Sequence, residues 1–270
     1  MLKQEFSNHY TSRQWKPILE KITVPSPLVW VQRPRLLALL DQNIRSCTST
    51  IVSGRAGSGK TALAIDFAEH CQRAVAWYKV DAPETDLTIF FAYLISSIRT
   101  QRPEFGSSTL CSLIQDQLEV SQIQQLADMF VYELELQSAE PLLLVIEDLH
   151  LVCDAQWLGP FFRRLLPLLP SDVHLLITSR TMPPASFWRL RSKQILSVID
   201  EDMLLFSKEE AFRLFERFGL SREQASIAVD HTRGRAAALS GLAATLHFAE
   251  ATPSLARGQL LKGRRAPGYS

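Results

Sequence analysis

From Thr48 to Thr61 the chain reads TSTIVSGRAGSGKT, and the run Gly54-Arg55-Ala56-Gly57-Ser58-Gly59-Lys60-Thr61 has the residue types and spacing needed to hold a polyphosphate. The pattern is G-x-x-x-x-G-K-[ST]. Its glycines let the backbone bend so that successive N–H groups face phosphate oxygens, at the positive end of the helix that follows. Lys60 can then reach the β- and γ-phosphates, and the Thr61 hydroxyl can sit on Mg²⁺. The expected nucleotide-binding set is Gly54 through Ala62, with ATP or ADP and Mg²⁺ as the ligands.

A second candidate lies in Leu142-Leu143-Leu144-Val145-Ile146-Glu147-Asp148-Leu149-His150. A continuous apolar run bounded by Pro141 and two acids suits a buried central strand of a parallel sheet. Such sheets bind ligands at the carboxyl ends of their strands, which places the acids beside the phosphate loop. One of Glu147 and Asp148 can then hold Mg²⁺, usually through water, while the other orients or deprotonates an attacking water. Both are candidate metal and catalytic residues, Thr61 is a candidate metal ligand, and His150 is expected to make a structural hydrogen bond. The strand Val173-His174-Leu175-Leu176-Ile177-Thr178-Ser179-Arg180 also ends in polar residues, and Thr178 and Arg180 could read the γ-phosphate. Arg33 could approach the base or ribose, against the plainer reading of a solvated arginine at a helix start.

These residues need elements to position them. Ile51-Val52 leads into the loop as a strand, and Ala62 to Ala68 leaves it with apolar residues at helical spacing. Residues 1–21 read as a polar leader. Residues 22–31 contain Pro25 and Pro27, which favour an extended segment draped along the core domain. Pro34 opens a helix rich in leucine. A second strand spans Ala74 to Val80, and a helix capped by Thr85 or Asp86 runs to Arg99, its aromatics reading as core. Residues 101–121 read as a surface excursion reaching a short helix, and Gln122 to Gln137 as an amphipathic helix. With a fifth strand at Ile195 to Ile199, the expected fold is α/β, a P-loop NTPase three-layer sandwich with a five-stranded parallel sheet over residues 22–204. From Leu205 the pattern is helical only. Capping boxes at Ser207/Glu210 and Ser221/Gln224, a stop at Gly234 and a small-residue helix from Ala236 to Glu250 predict a small all-helical domain over 205–250. Residues 251–270 read as a basic tail or truncated linker.

Composition narrows the class. At 46% hydrophobic and 21% charged, 270 residues can bury a large core and a smaller second one. A formal charge of +1 gives no global basic field for nucleic acid or anionic membrane. Neither a membrane-spanning run nor a signal-peptide core is visible, so a soluble, cytoplasmic protein is expected. Cys47, Cys71, Cys111 and Cys153 are widely spaced and read as buried thiols rather than disulfide partners or zinc ligands.

Taken in order, SGRAGSGKT, WYKVD with FFAYLISSIR, LLLVIEDLH, HLLITSR, LLFSKEEAFRLF and HTRGRAAAL resemble the ATPase module of the maltose-regulator-like, LuxR-type large transcriptional regulators, within the STAND class of P-loop ATPases. The resemblance covers about residues 21–250. It implies Lys60 and Thr61 on phosphate and Mg²⁺, Asp148 on the water or metal, and Arg180 on the γ-phosphate. It further implies an ATP-controlled switch with slow hydrolysis, self-association in the ATP state, and control by an inducer or protein partner. A stand-alone turnover ATPase or kinase is the alternative. The chain departs from the family at Glu147, where an aspartate is usual, and at Gly234-Arg235-Ala236, which replaces a glycine-x-proline element near adenine. The family's sensor repeats and C-terminal helix-turn-helix are absent from these 270 residues, so DNA would be contacted only through a domain not among them.

Overall fold

The computed structural model describes residues 16–26, 31–81, 85–114, 118–137, 140–182 and 187–251. Five strands, β1 (Ser49–Ser53), β2 (Ala74–Lys79), β3 (Leu142–Glu147), β4 (Val173–Ser179) and β5 (Leu196–Ile199), form one sheet in the order β2-β3-β4-β1-β5. Every pairing is parallel. β1, β3 and β4 are buried along their whole length; β3 accordingly reads as an unbroken apolar run up to Glu147, while β1 and β4 also bury Ser, Thr and His side chains. Crossover helices connect them, giving the expected P-loop three-layer sandwich.

The helices are α1 (Pro34–Ser46), α2 (Lys60–His70), α3 (Leu87–Arg99), α4 (Ser108–Leu113), α5 (Val120–Leu136), α6 (Leu158–Leu165) and α7 (Trp188–Ser192), followed by α8 (Lys208–Arg217), α9 (Arg222–Thr232) and α10 (Ala236–Ala251). Their starts follow local chemistry. Asp86 caps α3 by accepting the Thr88 and Ile89 N–H groups, at 2.7 and 3.3 Å. Ser207 and Ser221 form the expected capping boxes with Glu210 and Gln224. The aromatics of α3 are core: Phe91 is fully buried and meets Phe161 edge-on at 4.8 Å, a contact worth about 1 kcal/mol beyond its buried area.

The chain divides into two compact units. One comprises Met1–Leu28, Arg33–Ala56 and Lys60–Met203; the other comprises Val29–Gln32, Gly57–Gly59 and Leu204–Ser270. In the first, Ile22 enters the sheet core and Lys21 pairs with Asp81 at 3.4 Å, so the end of the leader is tied down. In the second, Val31 packs with Ala211, Leu214, Phe215 and Leu239. The segment before α1 therefore does not simply drape along the sheet domain, because its last apolar residue joins the helical core; residues 27–30 and 252–270 lie outside the described residues.

The 101–121 segment is also not a surface excursion. Phe105 is fully buried, and the buried carboxylate of Glu133 on α5 accepts the Gly106 N–H at 2.7 Å, the Ser107 N–H at 3.0 Å and the Ser107 hydroxyl. The periodicity of α5 showed its apolar face but not this acid within it. The cysteines are half-buried, and burial raises the thiols of Cys71, Cys111 and Cys153. No helix among the described residues is long and apolar enough to cross a membrane.

His174 on β4 ties the sheet's stability to pH. Its Nδ1 lies 3.2 Å from the Cys47 carbonyl, which can only accept, so Nδ1 carries the proton and Nε2 accepts the Thr50 hydroxyl at 3.1 Å. Burial lowers its pKa from 6.5 to about 4. An unfolded chain takes up this proton below about pH 6.5 and the folded one only near 4, so this contribution is whole above 6.5 and is lost as pH falls from 6.5 to 4. The loss is about 3 kcal/mol. Urea midpoints measured across that window should fall more steeply for the native chain than for His174→Gln; parallel curves would remove His174 as the cause.

Candidate functional site

The phosphate loop grows out of a fully paired strand. β1 continues its ladder with β4 for one more residue, the Gly54 N–H donating to the Ser179 carbonyl at 3.2 Å. Gly57 and Gly59 then adopt φ of 77° and 92°, the left-handed region that glycine reaches without strain. At Gly57 space is also decisive: a Cβ there would lie 2.8 Å from the Ala237 Cβ, and the Ala237 N–H donates to the Gly57 carbonyl at 2.9 Å. This contact lies within the second unit. Within that unit the helix that begins at Ala236 bonds Gly57 through a backbone amide, with alanine where the resembled family has proline. Two left-handed residues, Arg233 and Gly234, follow α9, which ends at Thr232 with Arg233 as its C-cap and Gly234 at the next position, where a glycine stop falls.

Lys60 begins α2, and its buried Nζ donates to the Gly54 carbonyl at 2.6 Å and the Arg55 carbonyl at 3.0 Å. Its pKa is lowered, first by burial and then by the charge of Arg180, while Asp148, Glu201 and Glu147 raise it. One cation and three carboxylates thus share its electrostatic neighbourhood. Thr61 donates to Glu147 Oε1 at 2.6 Å, across from β1's loop to the end of β3. The second oxygen, Glu147 Oε2, is buried with no hydrogen-bond partner, on a residue only 3% exposed.

A buried carboxylate oxygen without a donor is costly unless something positive completes it. Paired with a hydroxyl of the phosphate loop, it offers the hard oxygen donors that Mg²⁺ takes up alongside water and phosphate. The residues present therefore fit the metal that the loop implies, with Thr61 and Glu147 as the protein's contribution. Asp148 is placed differently. It has left-handed backbone, φ 59° and ψ 36°, and its N–H donates to the Thr178 hydroxyl at 3.0 Å. Aspartate tolerates this conformation better than most residues, and strain of this kind clusters at functional sites.

Thr178 is fully buried, and its hydroxyl oxygen accepts the Asp148 N–H, so it positions the acid. His150 makes no structural hydrogen bond through Nδ1, which sits 3.7 Å from Asp148 Oδ1, and burial lowers its pKa. Arg180, exposed just past β4, acts by charge on both Lys60 and His150. Arg33 is 5% exposed at the N-cap of α1, so it is not a solvated arginine. Ser58 is buried, Ala56 is exposed and Ala62 is half-buried in the first turn of α2.

Arg55 is engaged by a residue that the sequence reading passed over. Its guanidinium and its N–H are both bound by Glu201. The signal was present: Asp200-Glu201-Asp202 follows the carboxyl end of β5, as Glu147 and Asp148 do at β3.

A parallel sheet whose strand ends gather a G-x-x-x-x-G-K-T loop, a hydroxyl–carboxylate pair and an arginine defines a P-loop ATPase module. Residues 31–178, more than half of the chain, match the AAA ATPase domain family, and the chain belongs to it. It is 28% identical over 206 residues to the HTH-type transcriptional regulator MalT of Vibrio parahaemolyticus, covering 75% of this chain and 22% of that protein. MalT of Yersinia enterocolitica is 29% identical over 219 residues, covering 79% and 23%. The chain thus spans less than a quarter of the curated relatives it matches. A solved STAND protein with a tetratricopeptide repeat sensor, from Pyrococcus horikoshii, is 19% identical with a TM-score of 0.46, covering 78% of this chain and 29% of that one.

Proposed function

We propose that this chain is the ATP-binding regulatory module of a MalT-like transcriptional regulator in the STAND class, a cytoplasmic switch read through its nucleotide state. The observation that carries the reading is the Thr61–Glu147 hydrogen bond of 2.6 Å beside an unpartnered, buried Glu147 Oε2, with Lys60 held against the loop carbonyls. In this reading residues 22–204 are the ATPase domain and 205–250 the helical domain. Gly54 to Ala62 bind the phosphates of ATP or ADP, and Arg33 serves the base or ribose. Mg²⁺, when bound, neutralises phosphate charge next to Thr61 and Glu147.

The chain's own residues divide the remaining work. Lys60 supplies charge to the β- and γ-phosphates, and Arg180 binds the γ-phosphate by charge-assisted hydrogen bonds. Asp148, held by Thr178, orients the attacking water and takes its proton. Hydrolysis is slow, because a switch must hold its ATP state long enough to be read. The ATP form self-associates, and an inducer or protein partner biases the equilibrium between states.

Light-scattering mass with ADP and with a non-hydrolysable ATP analogue tests the switch. The analogue should raise the mass and ADP should not; Arg180→Ala should remove that difference while ADP binding persists. Equal mass with both nucleotides, in a chain that binds both, would rule out switching by assembly.

A further inference from the structure

The phosphate loop is already engaged by an anion that belongs to the chain. Glu201 lies two residues beyond β5, and Arg55 is the second residue of the loop. The Arg55 N–H donates to Glu201 Oε2 at 3.1 Å, and its Nε donates to Oε1 at 2.9 Å and to Oε2 at 3.1 Å. Nη2 lies 2.8 Å from Oε1, so one carboxylate meets a backbone and a guanidinium donor set together. The segment that carries Glu201 is itself fastened: Asp200 Oδ1 accepts the Met203 N–H at 3.1 Å, and Arg35 donates to the Met203 carbonyl at 3.0 Å. The backbone beside Glu201 is thus held by bonds of its own.

We propose that Glu201 is a positioning residue that sets how tightly the phosphate loop holds a nucleoside polyphosphate, by committing Arg55 and by cancelling its charge. The proposal rests on the nucleotide reading above. Its physical basis is the sum of charges at the loop. Paired, the charges of Arg55 and Glu201 offset each other toward a polyanion; removing Glu201 takes away the carboxylate that offsets Arg55, and removing Arg55 takes away the guanidinium that offsets Glu201. Glu201 stands close enough for its charge to register at Lys60. The pair is half-open to water, with side-chain exposures of 67% for Arg55 and 27% for Glu201, so its disruption changes local charge more than it changes the core.

This predicts opposite effects from the two partners, which a purely structural tie would not. ATP titrations should show Glu201→Gln binding at least ~3-fold tighter than the native chain and Arg55→Ala at least ~3-fold weaker, with the double variant close to native. Glutamine keeps an acceptor for the Arg55 N–H, so charge alone is removed. The shifts should be smaller for ADP, which carries less charge, and should fade at ~1 M salt, where the screening length is about 3 Å. Shifts of both single variants in the same direction, or no shift in a chain that binds ATP, would overturn the role of Glu201. In the nucleotide-free protein, hydrogen exchange of the Arg55 amide should quicken in Glu201→Ala. If it does while the native chain binds no ATP, the nucleotide reading falls and this role falls with it; if it does not, the Glu201 contact itself is refuted.

Discussion

Lys60→Ala is expected to reduce ATP and ADP affinity by at least ~100-fold, the loss of two charge-assisted bonds to phosphate. No other side chain of the loop supplies a buried positive charge: Arg55 is exposed and committed to Glu201, whereas Lys60 is 6% exposed. The same side chain also bonds the Gly54 and Arg55 carbonyls, at 2.6 and 3.0 Å, so the variant releases two acceptors as well as a cation. Neither bond belongs to a helix or to the sheet ladder, although the Gly54 carbonyl is buried. The far-UV spectrum should therefore stay native, while the melting temperature falls by the cost of a buried carbonyl left without its donor. Isothermal titration beside a thermal melt separates the outcomes: undiminished binding by a folded variant would end the phosphate-loop assignment, and a collapsed melt would move Lys60 into the fold's own support.

Asp148→Asn should slow ATP hydrolysis by ~100-fold or more, the usual cost of removing a general base, while ATP binding is largely kept. The substitution is clean because asparagine also accepts left-handed backbone, so the φ of 59° and the N–H bond to Thr178 can both survive. Glu147→Gln should act differently. It keeps an acceptor for Thr61 but loses the charge of the buried Oε2, so the Mg²⁺ dependence of binding should weaken more than the chemical step. Starting turnover is expected well below the enzyme median of about 10 s⁻¹. Glu147 is one methylene longer than the family's aspartate, and positioning errors near 1 Å can cost ~100-fold. Single-turnover rates alongside Mg²⁺ titrations of both variants check this division. Rapid multiple turnover by the native chain would favour a working ATPase or kinase over a switch, and identical defects in the two variants would merge the roles of the two acids.

Much of this was legible because it is local. The strand–loop–helix run around Lys60, the apolar run ending at Glu147-Asp148, and the boxes at Ser207/Glu210 and Ser221/Gln224 each show in residues a few positions apart; the bonds of the boxes close over the same short distances, whereas the strands pair with partners far along the chain. Helix ends were less well placed. α5 starts at Val120 instead of Gln122, because Glu119 caps it and Gln122 completes that box.

The order of amino acids is enough to mark which residues could handle a phosphate and a metal, and to place them at the end of a buried parallel sheet. What lies between them is set by the packing of distant segments. In the order β2-β3-β4-β1-β5, β4 separates the strand of the phosphate loop from the strand of the acids, which brings Thr178 under Asp148 and Arg180 near Lys60. Strand order follows from crossover paths and long-range packing, which leave no short-range pattern. The same holds for Glu201 on Arg55, 146 residues apart, and for Glu133 on Ser107, 26 apart. A carboxylate committed to a distant backbone amide looks in sequence like any surface acid, because its partner is chosen by the fold and not by its neighbours.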